Sequence, residues 1–433
     1  MEKNRSSHSY GRQEMMTLHP GTIILLGLTL GFTLEITPAK SQSNASFPKS
    51  RRLWKADKPY RDLLANPVEF NGPGREKEST EVAEVRIGVF GPTKGKLSSA
   101  GESLRRGAQI AIDEANADGG YQSKPFKLVF RPDDGPWGTT ARQMVKLLYE
   151  DKVWAVLGSV DGPNTHIAEQ VVTKSWAPLV APTASDPSLT QINVPWIFRC
   201  MPTDQQQALA LAEYIFYKKG YKRVAGLAGN DHYGRLGMVE FERLARRLGY
   251  SLALNLKYNP GQTDFSEHLS LIDGSRVEAV VIWGAPEEAA WFIRQMRSTG
   301  MKQAVFGSGL LAVPEFLQAT GLYSEGVTVA RPYDSSRNEP QAVQFREKFA
   351  AKYAREPDLF AAYAYDGMRI IIAAVKAGGL NRIKIRDAIA HIEKFDGATG
   401  EIQFSKNGDN TAEVKLAIVR EGNFCPLPLW IDD

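Results

Sequence analysis

Small polar and aromatic residues follow several apolar segments that are predicted to be strands, and their chemistry suits binding. The first half of the chain supplies Ser159, Asp161, Gly162, Thr183, Ala184 and Ser185, and the second half supplies Tyr233, Trp283 and Ser308. All of them stand where predicted strands end, and open α/β sheets bind small ligands at the carboxyl ends of their strands. The sequence therefore predicts a ligand-binding cleft lined by these residues.

The elements that must position these residues repeat one unit, which is a short apolar strand, a turn and an amphipathic helix. VRIGVFGP (85–92) is followed by a predicted helix over 99–117, in which apolar residues recur at i, i+3, i+4 and i+7. KLVFRPDD, WAVLGS and APLVAPTAS continue the series. Continuous apolar runs linked by helices indicate parallel strands that are buried on both faces. The predicted fold class is therefore α/β, with doubly wound, Rossmann-like sheets.

The same unit restarts after PWIFRCMPTD (195–204), where two prolines bracket a short strand and Asp204 offers a helix N-cap. Helices are predicted over 205–219, 235–248, 265–272 and 287–298, between the strands RVAGLAG, LALNLKY, EAVVIWG and QAVFGSG. A second crossover is predicted at EGVTVARPYD (325–334), with helices over 342–353 and 359–377 after it. The tail is predicted to form a hairpin that turns at Asn407-Gly408.

These patterns predict two lobes of similar topology. We expect one lobe over 85–200 plus 331–395 and the other over 203–330 plus 396–433. Residues 1–41 combine basic residues, a 13-residue apolar run and small residues, which is typical of a signal peptide and shorter than a membrane span. Residues 42–84 are predicted to be a linker or a strap on the surface. The mature protein is thus expected to be exported to the periplasm.

Composition narrows the function classes. The chain has 433 residues, 43% of them hydrophobic, and a net charge of +4, which gives no electrostatic case for binding nucleic acid. Cys200 and Cys425 could form a disulfide in an oxidising compartment or stay as two buried thiols, and the sequence leaves both open. We expect a monomer without a cofactor.

The sequence gives little support for a catalytic or a metal-binding motif. GVFGPTKGK lacks the spacing of a phosphate-binding loop, and no Gly-x-Ser-x-Gly segment is present. The six histidines show no spacing typical of metal ligands. Asp161 and His166 form the only candidate acid/base pair near the predicted cleft, so an enzyme is the least favoured class.

Eight motifs, in order, resemble those of one family of solute-binding proteins. They are IGVFGP, GAQIAIDEANADGG, RPDD, APTASDPSLT, FRCMPTDQQQ, YGRLG, GQTDFS and FAAYAYDGMRI. Over roughly 85–422 the chain resembles the leucine/isoleucine/valine-binding type of the type I periplasmic binding proteins, which serve ABC importers. The resemblance implies two lobes, joined by three strands, that close on a small molecule and dock on a membrane permease.

The resemblance also implies roles for individual residues. Loops 158–165 and 181–185 match those that bind a ligand carboxylate, and Tyr233 matches an aromatic residue that covers the ligand, although it could also simply pack at a strand end. Trp137 either walls the cleft or stacks structurally.

Two positions depart from the pattern of the amino-acid binders in this family. Gly162 stands where they offer a serine, and Ser308 stands where they carry the acid that pairs with the ammonium group. Asp161 either replaces that acid or is a solvated turn residue. We therefore expect weak binding of leucine, isoleucine and valine, and preference for a neutral amide, a cation or a differently shaped molecule.

The function predicted from the sequence is an extracytoplasmic receptor that closes on a small polar molecule and delivers it to an ABC importer. A periplasmic sensing subunit that signals to a membrane receptor or kinase would use the same fold, and the sequence does not separate the two. No catalytic residue is assigned.

Overall fold

The computed structural model describes residues 70–76, 81–135 and 137–427, with the side chain of Trp137 outside the described part. The predicted signal peptide and most of the predicted strap lie outside the described residues. Among the described helices, none is both long and apolar enough to cross a membrane.

The first sheet has five strands in the order β2-β1-β3-β4-β5, and all neighbouring strands are parallel. Its elements run β1 (Val85–Gly91), α1 (Ser98–Ala117), β2 (Phe126–Pro132), α2 (Trp137–Val145), β3 (Val156–Leu157), α3 (Gly162–Ser175), β4 (Leu179–Ala181), α4 (Ser188–Gln191) and β5 (Ile197–Arg199). Every residue of β3, β4 and β5 is buried, as the continuous apolar runs predict for strands covered on both faces.

The second sheet has seven strands in the order β14-β13-β10-β9-β8-β6-β7. Its elements run α5 (Asp204–Ala212), β6 (Val224–Gly229), α6 (His232–Arg247), β7 (Leu254–Tyr258), α7 (Ser266–Gly274), β8 (Ala279–Trp283), α8 (Pro286–Ser298), β9 (Ala304–Gly307), α9 (Pro314–Thr320) and β10 (Thr328–Arg331). The hairpin of β13 (Lys415–Arg420) and β14 (Asn423–Leu427) adds to β10 in the antiparallel sense.

The parallel parts of the two sheets share one topology. The order β2-β1-β3-β4-β5 in the first sheet matches β7-β6-β8-β9-β10 in the second, which confirms the predicted two-lobed α/β fold. In each sheet the chain reverses direction across the sheet between its first and third strands, and ligands bind at such switch points. The structure therefore puts the ends of β1, β3, β6 and β8 at the natural binding edge.

After β10 the chain returns to the first lobe through α10 (Pro340–Tyr353), α11 (Leu359–Gly378) and α12 (Arg382–Ala390). Helix α11 packs so tightly on α1 that a Cβ at Gly107 would lie 2.0 Å from the carbonyl oxygen of Ala361. The hydroxyl of Tyr365 also donates to Glu114 across this interface, at 2.8 Å. The return of α11 thus fixes the back of the first lobe, while the exact lobe boundaries stay a prediction.

The chain passes between the two lobes after β5, after β10 and before β13. The first and third passages are tied together, because the side-chain amide of Gln206 donates to the carbonyls of Asn410 and Ala412, both at 3.0 Å. The second passage is tied to α11, where the hydroxyl of Tyr363 donates to Pro332 at 2.7 Å.

The predicted C-terminal hairpin forms only as a short turn, in which Phe404 and Asn410 pair in an isolated antiparallel bridge around Asn407-Gly408. β12 (Gly400–Ile402) pairs with β11 (Phe395–Gly397), and β13 pairs with β14, so Asn407-Gly408 does not join two long strands. The turn instead lies against β5, where the N–H of Arg199 donates to the carbonyl of Gly408 at 2.8 Å. The turn therefore forms as the local signal predicts, but it is held against the first lobe instead of joining two long strands.

Two other sequence expectations can be compared with the structure. Part of the predicted strap lies on the first lobe, since the ring of Phe70 packs 5.0 Å from Trp176 and 4.8 Å from Trp196. Cys200 and Cys425 are both free, with Cys200 buried in the first lobe and Cys425 on β14.

Candidate functional site

The loop after β3 is held by its own hydrogen bonds. The hydroxyl of Ser159 donates to Asp133 at 2.5 Å, and its N–H donates to the hydroxyl of Thr165 at 3.1 Å. Burial raises the pKa of Asp133 to about 7, although the Ser159 hydroxyl acts against that shift. Ser159 is fully buried, so its hydroxyl serves the loop.

Asp161 is the N-cap of α3, a role that neither sequence interpretation gave it. Its carboxylate accepts from the N–H of Asn164 at 2.8 Å and from the Asn164 side chain at 3.1 Å. Burial raises the pKa of Asp161, while these hydrogen bonds act in the opposite sense. The carboxyl group therefore shapes the start of the helix.

Gly162, the first residue of α3, faces a contact between the lobes. A Cβ at Gly162 would lie 3.1 Å from Asp186 and 3.3 Å from Nε2 of His232. His232 belongs to α6 of the second lobe, and its Nε2 lies 2.7 Å from the Asp186 carboxylate. The space that a serine side chain would take is thus filled by a histidine–aspartate pair.

Asp186 is the centre of this contact. It also lies 3.2 Å from Nε2 of His166, whose Nδ1 is 3.0 Å from Glu169. Burial works against the charged form of Asp186, but hydrogen bonds from His166, His232 and Ser188 hold its pKa below the usual range. Burial likewise works against protonation of His166, yet its two carboxylate partners raise its pKa to about 9. At neutral pH this is an ionised aspartate beside a protonated histidine.

The loop after β4 is ordered mainly through its backbone. The carbonyls of Ala184 and Asp186 accept from the buried guanidinium of Arg199, at 2.9 and 2.6 Å. The hydroxyl of Thr183 donates to the carbonyl of Val160 at 3.3 Å, which ties this loop to the one after β3. The carbonyl of Ser185 accepts from the N–H of Asp204 at 2.8 Å.

Asp204 brings a carboxyl group to the same place. Its side chain is 1% exposed, and Oδ1 has no hydrogen-bond partner among the described residues. Burial raises the pKa of Asp204 to about 7, and the Ser185 hydroxyl acts against that shift. The sequence identified Asp204 only as a helix start, whereas the N-cap is Thr203.

Tyr233, Trp283 and Ser308 lie together in the second lobe. Tyr233 is in the first turn of α6, because Asp231 caps that helix, and its ring lies 6.4 Å from that of Trp283. Ser308 follows β9 and is a neighbour of the Tyr233 hydroxyl. Burial raises the pKa of Tyr233, and the negative charge of Asp204 adds to the shift, which places Asp204 close to this group.

The second-lobe group is well packed but poor in hydrogen bonds. The Tyr233 hydroxyl, Nε1 of Trp283 and Oγ of Ser308 are buried and make no well-formed hydrogen bond among the described residues. Ser308 and the backbone of Leu310 nevertheless lie close enough to the Tyr233 hydroxyl to act against the rise of its pKa. Buried polar atoms usually have partners, and leaving one unpaired costs about 1–3 kcal/mol. Unpaired donors and acceptors on facing elements are what a polar ligand would satisfy.

An ion pair also joins the lobes. The ammonium group of Lys96, in the loop after β1, lies 3.0 Å from the carboxylate of Glu288 in α8. That carboxylate also accepts from the N–H of Gly261 at 2.6 Å, and its other oxygen is unpaired among the described residues. The lobes are therefore in contact at two places, through Lys96 and through Asp186.

A family model described as periplasmic binding protein matches residues 84–422. The chain belongs to the periplasmic binding protein family. It is 28% identical over 334 residues to a Leu/Ile/Val-binding protein homologue from Brucella abortus, a match that covers 76% of this periplasmic binding protein and 88% of the relative. These findings confirm the resemblance inferred from the motifs.

Solved structures agree with the fold. The structure superposes with a TM-score of 0.71 on the branched-chain amino acid transporter substrate binding protein LivJ from Streptococcus pneumoniae, in complex with isoleucine, at 25% identity. A leucine binding protein LivK from Thermotoga maritima gives a TM-score of 0.72 at 26% identity. Each match covers 79% of this periplasmic binding protein, with 100% of the first structure and 98% of the second. This periplasmic binding protein is thus a solute-binding receptor.

The sequence missed the residues that contact each other across the lobes. Asp186 and His232 adjoin the predicted Ser185 and Tyr233 in the sequence, which does not indicate that they pair. Lys96 and Glu288 are 192 positions apart. Among the described residues, no cluster of three or more His, Cys, Asp or Glu side chains is suited to hold a metal ion.

Proposed function

We propose that this chain is an exported receptor that closes on a small polar molecule between its two lobes and delivers it to the permease of an ABC importer. The observation that supports the proposal most is the set of buried, unpaired polar atoms at one place: Oδ1 of Asp204, the hydroxyl of Tyr233 and Oγ of Ser308. They come from the start of α5, from α6 and from the end of β9, beside the loop that contains Ser185.

The proposed binding surface keeps most of the residues predicted from the sequence and adds Asp186, Asp204 and His232. It comprises Ser185, Asp204, Tyr233, Trp283 and Ser308, with Asp161, Gly162, Asp186 and His232 at one side. Ser159 and Thr183 support this surface through the hydrogen bonds of their own loops. We expect binding without turnover.

A thermal-shift screen tests the binding role. The protein, from residue 42 on, is heated with amino acids, amides, short carboxylates and amines, and ligand at 100 times its dissociation constant adds about 2.7 kcal/mol of stability. We expect one class to raise the melting temperature, and the same compound to have little effect on Tyr233→Ala. Equal stabilisation of Tyr233→Ala would move the binding site away from this cleft.

The transport role has its own test. Deleting the gene is expected to abolish uptake of the compound found in the screen, in cells whose permease genes are intact. Unchanged uptake, together with a lost transcriptional response to the compound, would replace import by sensing.

A further inference from the structure

The side of the cleft that faces a ligand carboxylate in the family pattern is acidic in this chain. Asp161 caps α3 there, and Asp186 stands directly beside Gly162. Hydrogen bonds from two histidines and Ser188 keep Asp186 ionised against the cost of its burial, since its pKa lies below the usual range. A carboxylate brought to this place would meet at least one fixed negative charge, and like charges in a partly buried site repel strongly.

The nearby basic side chains are already paired. Arg199 is fully buried and lies 3.1 Å from the Asp409 carboxylate, and its other donors bond to the carbonyls of Ala184 and Asp186 and to the hydroxyl of Thr190. His166 stands between Asp186 and Glu169. His232 contacts Asp186. The basic side chains described at this place are thus already bonded to carboxylates of the protein itself.

The unpaired atoms of the cleft suit a ligand group that donates hydrogen bonds. Oδ1 of Asp204 is a buried acceptor without a partner among the described residues, and Asp204 is 1% exposed. The hydroxyls of Tyr233 and Ser308 accept as well as donate. The adjacent rings of Tyr233 and Trp283 add aromatic faces, which attract cations.

We infer that the cleft selects a ligand that carries an ammonium or another N–H-rich group and has no carboxylate next to it. This inference rests on the proposed function and names the class of ligand. The N–H-rich group lies at Asp204, Tyr233 and Ser308, and the end nearest Gly162 is uncharged. An amino acid is disfavoured because its carboxylate adjoins its ammonium group and would approach Asp161 and Asp186.

Matched compounds test the inference by calorimetry. For each of alanine, valine, leucine and phenylalanine, the probes are the amino acid, its amide, the amine without the carboxyl group and the carboxylate without the amino group. In the set that binds best, we expect the amide or the amine to bind at least tenfold more tightly than the amino acid. Tighter binding of the amino acid or the carboxylate overturns the inference and leaves the proposed function standing. If none of these probes binds, the inference and the proposed function are both contradicted for molecules of this size.

Two variants, each of which replaces a carboxyl group by an amide, test which residues select the ligand. Asn is as good an N-cap as Asp, so Asp161→Asn keeps α3 intact while it removes a charge, and we expect the preference for amide over amino acid to shrink. Asp204→Asn is expected to weaken binding of the amine at least tenfold. Asp118→Asn, at the exposed end of α1 away from the binding edge, is the control and leaves affinities unchanged. An unaltered preference in both cleft variants would show that these carboxylates do not select the ligand.

Discussion

On the first-lobe side of the cleft most of the described polar groups are bonded within the chain, with one oxygen each of Asp133 and Glu169 unpaired, whereas on the second-lobe side three neighbouring polar side chains are unpaired. The Ser159 hydroxyl donates to Asp133, the Thr183 hydroxyl to Val160, and Asp161 caps a helix. By contrast, the hydroxyls of Tyr233 and Ser308 are buried with no partner among the described residues. The polar groups of the first lobe therefore mainly hold its own loops, whereas those of the second lobe are available to a ligand.

Several strands near the site also differ in length between the lobes. Strands β3, β4 and β5 have two or three residues each, so the first-lobe loops must be held by side-chain bonds. Strands β6 and β8 have six and five residues and are themselves buried, so the second lobe fixes its strand ends by packing. This contrast leads to four predictions, taken from the largest expected effect to the smallest.

The largest effect is expected for Trp283→Ala, which tests whether packing supports the second lobe. Trp283 is fully buried, and a Cβ at Gly237 would lie 1.9 Å from its Nε1, so the indole fills its site completely. The free energy of unfolding should fall by about 3–5 kcal/mol. Leu322→Ala, at a side chain 95% exposed, is the control. A loss below 1 kcal/mol in denaturant titration would contradict this view of the second lobe.

The second prediction concerns pH and the bonds of the first lobe. The pKa of His166 is raised from its ordinary 6.5 to about 9, so the protonated imidazole stabilises the folded state fully below pH 6.5, and that contribution is lost as pH rises through 9. The free energy of unfolding should fall by at most about 3 kcal/mol over this interval. In His166→Gln the fall should be smaller, while His391→Gln on the surface should keep it. Equal pH dependence in both variants would rule out this role.

The third prediction concerns the helix cap. Asp161→Ala removes the acceptor for the N–H of Asn164, so it should cost about 1 kcal/mol of stability without any ligand present. Asp161→Asn should retain most of that stability. If alanine at this position were as stable as asparagine, the carboxylate would not be acting as a cap.

The smallest effect on stability is expected for Ser308→Ala, the matched change in the second lobe. Since its hydroxyl has no partner among the described residues, the free energy of unfolding should change by less than about 0.5 kcal/mol or rise slightly. Affinity for the ligand found in the screen should fall. A loss of stability as large as that of Asp161→Ala would erase the contrast between the lobes.

The sequence predicted those parts of the fold that local periodicity encodes. Strands that are buried on both faces, such as β6 and β8, are visible as apolar runs, and their repetition indicates two lobes. The contacts across the cleft depend on how the lobes meet, and no local pattern encodes the distance of 2.7 Å between His232 and Asp186. For the same reason Asn407-Gly408 indicated a turn correctly but not its partner, β5.

The central claim is that a small molecule binds between Asp204 and the group formed by Tyr233, Trp283 and Ser308. A crystal structure of the protein with the compound that stabilises it most tests this directly. The account predicts density for the compound within hydrogen-bond distance of Oδ1 of Asp204 and of the Tyr233 or Ser308 hydroxyl. Density at any other place, with these atoms still unpaired, would contradict it.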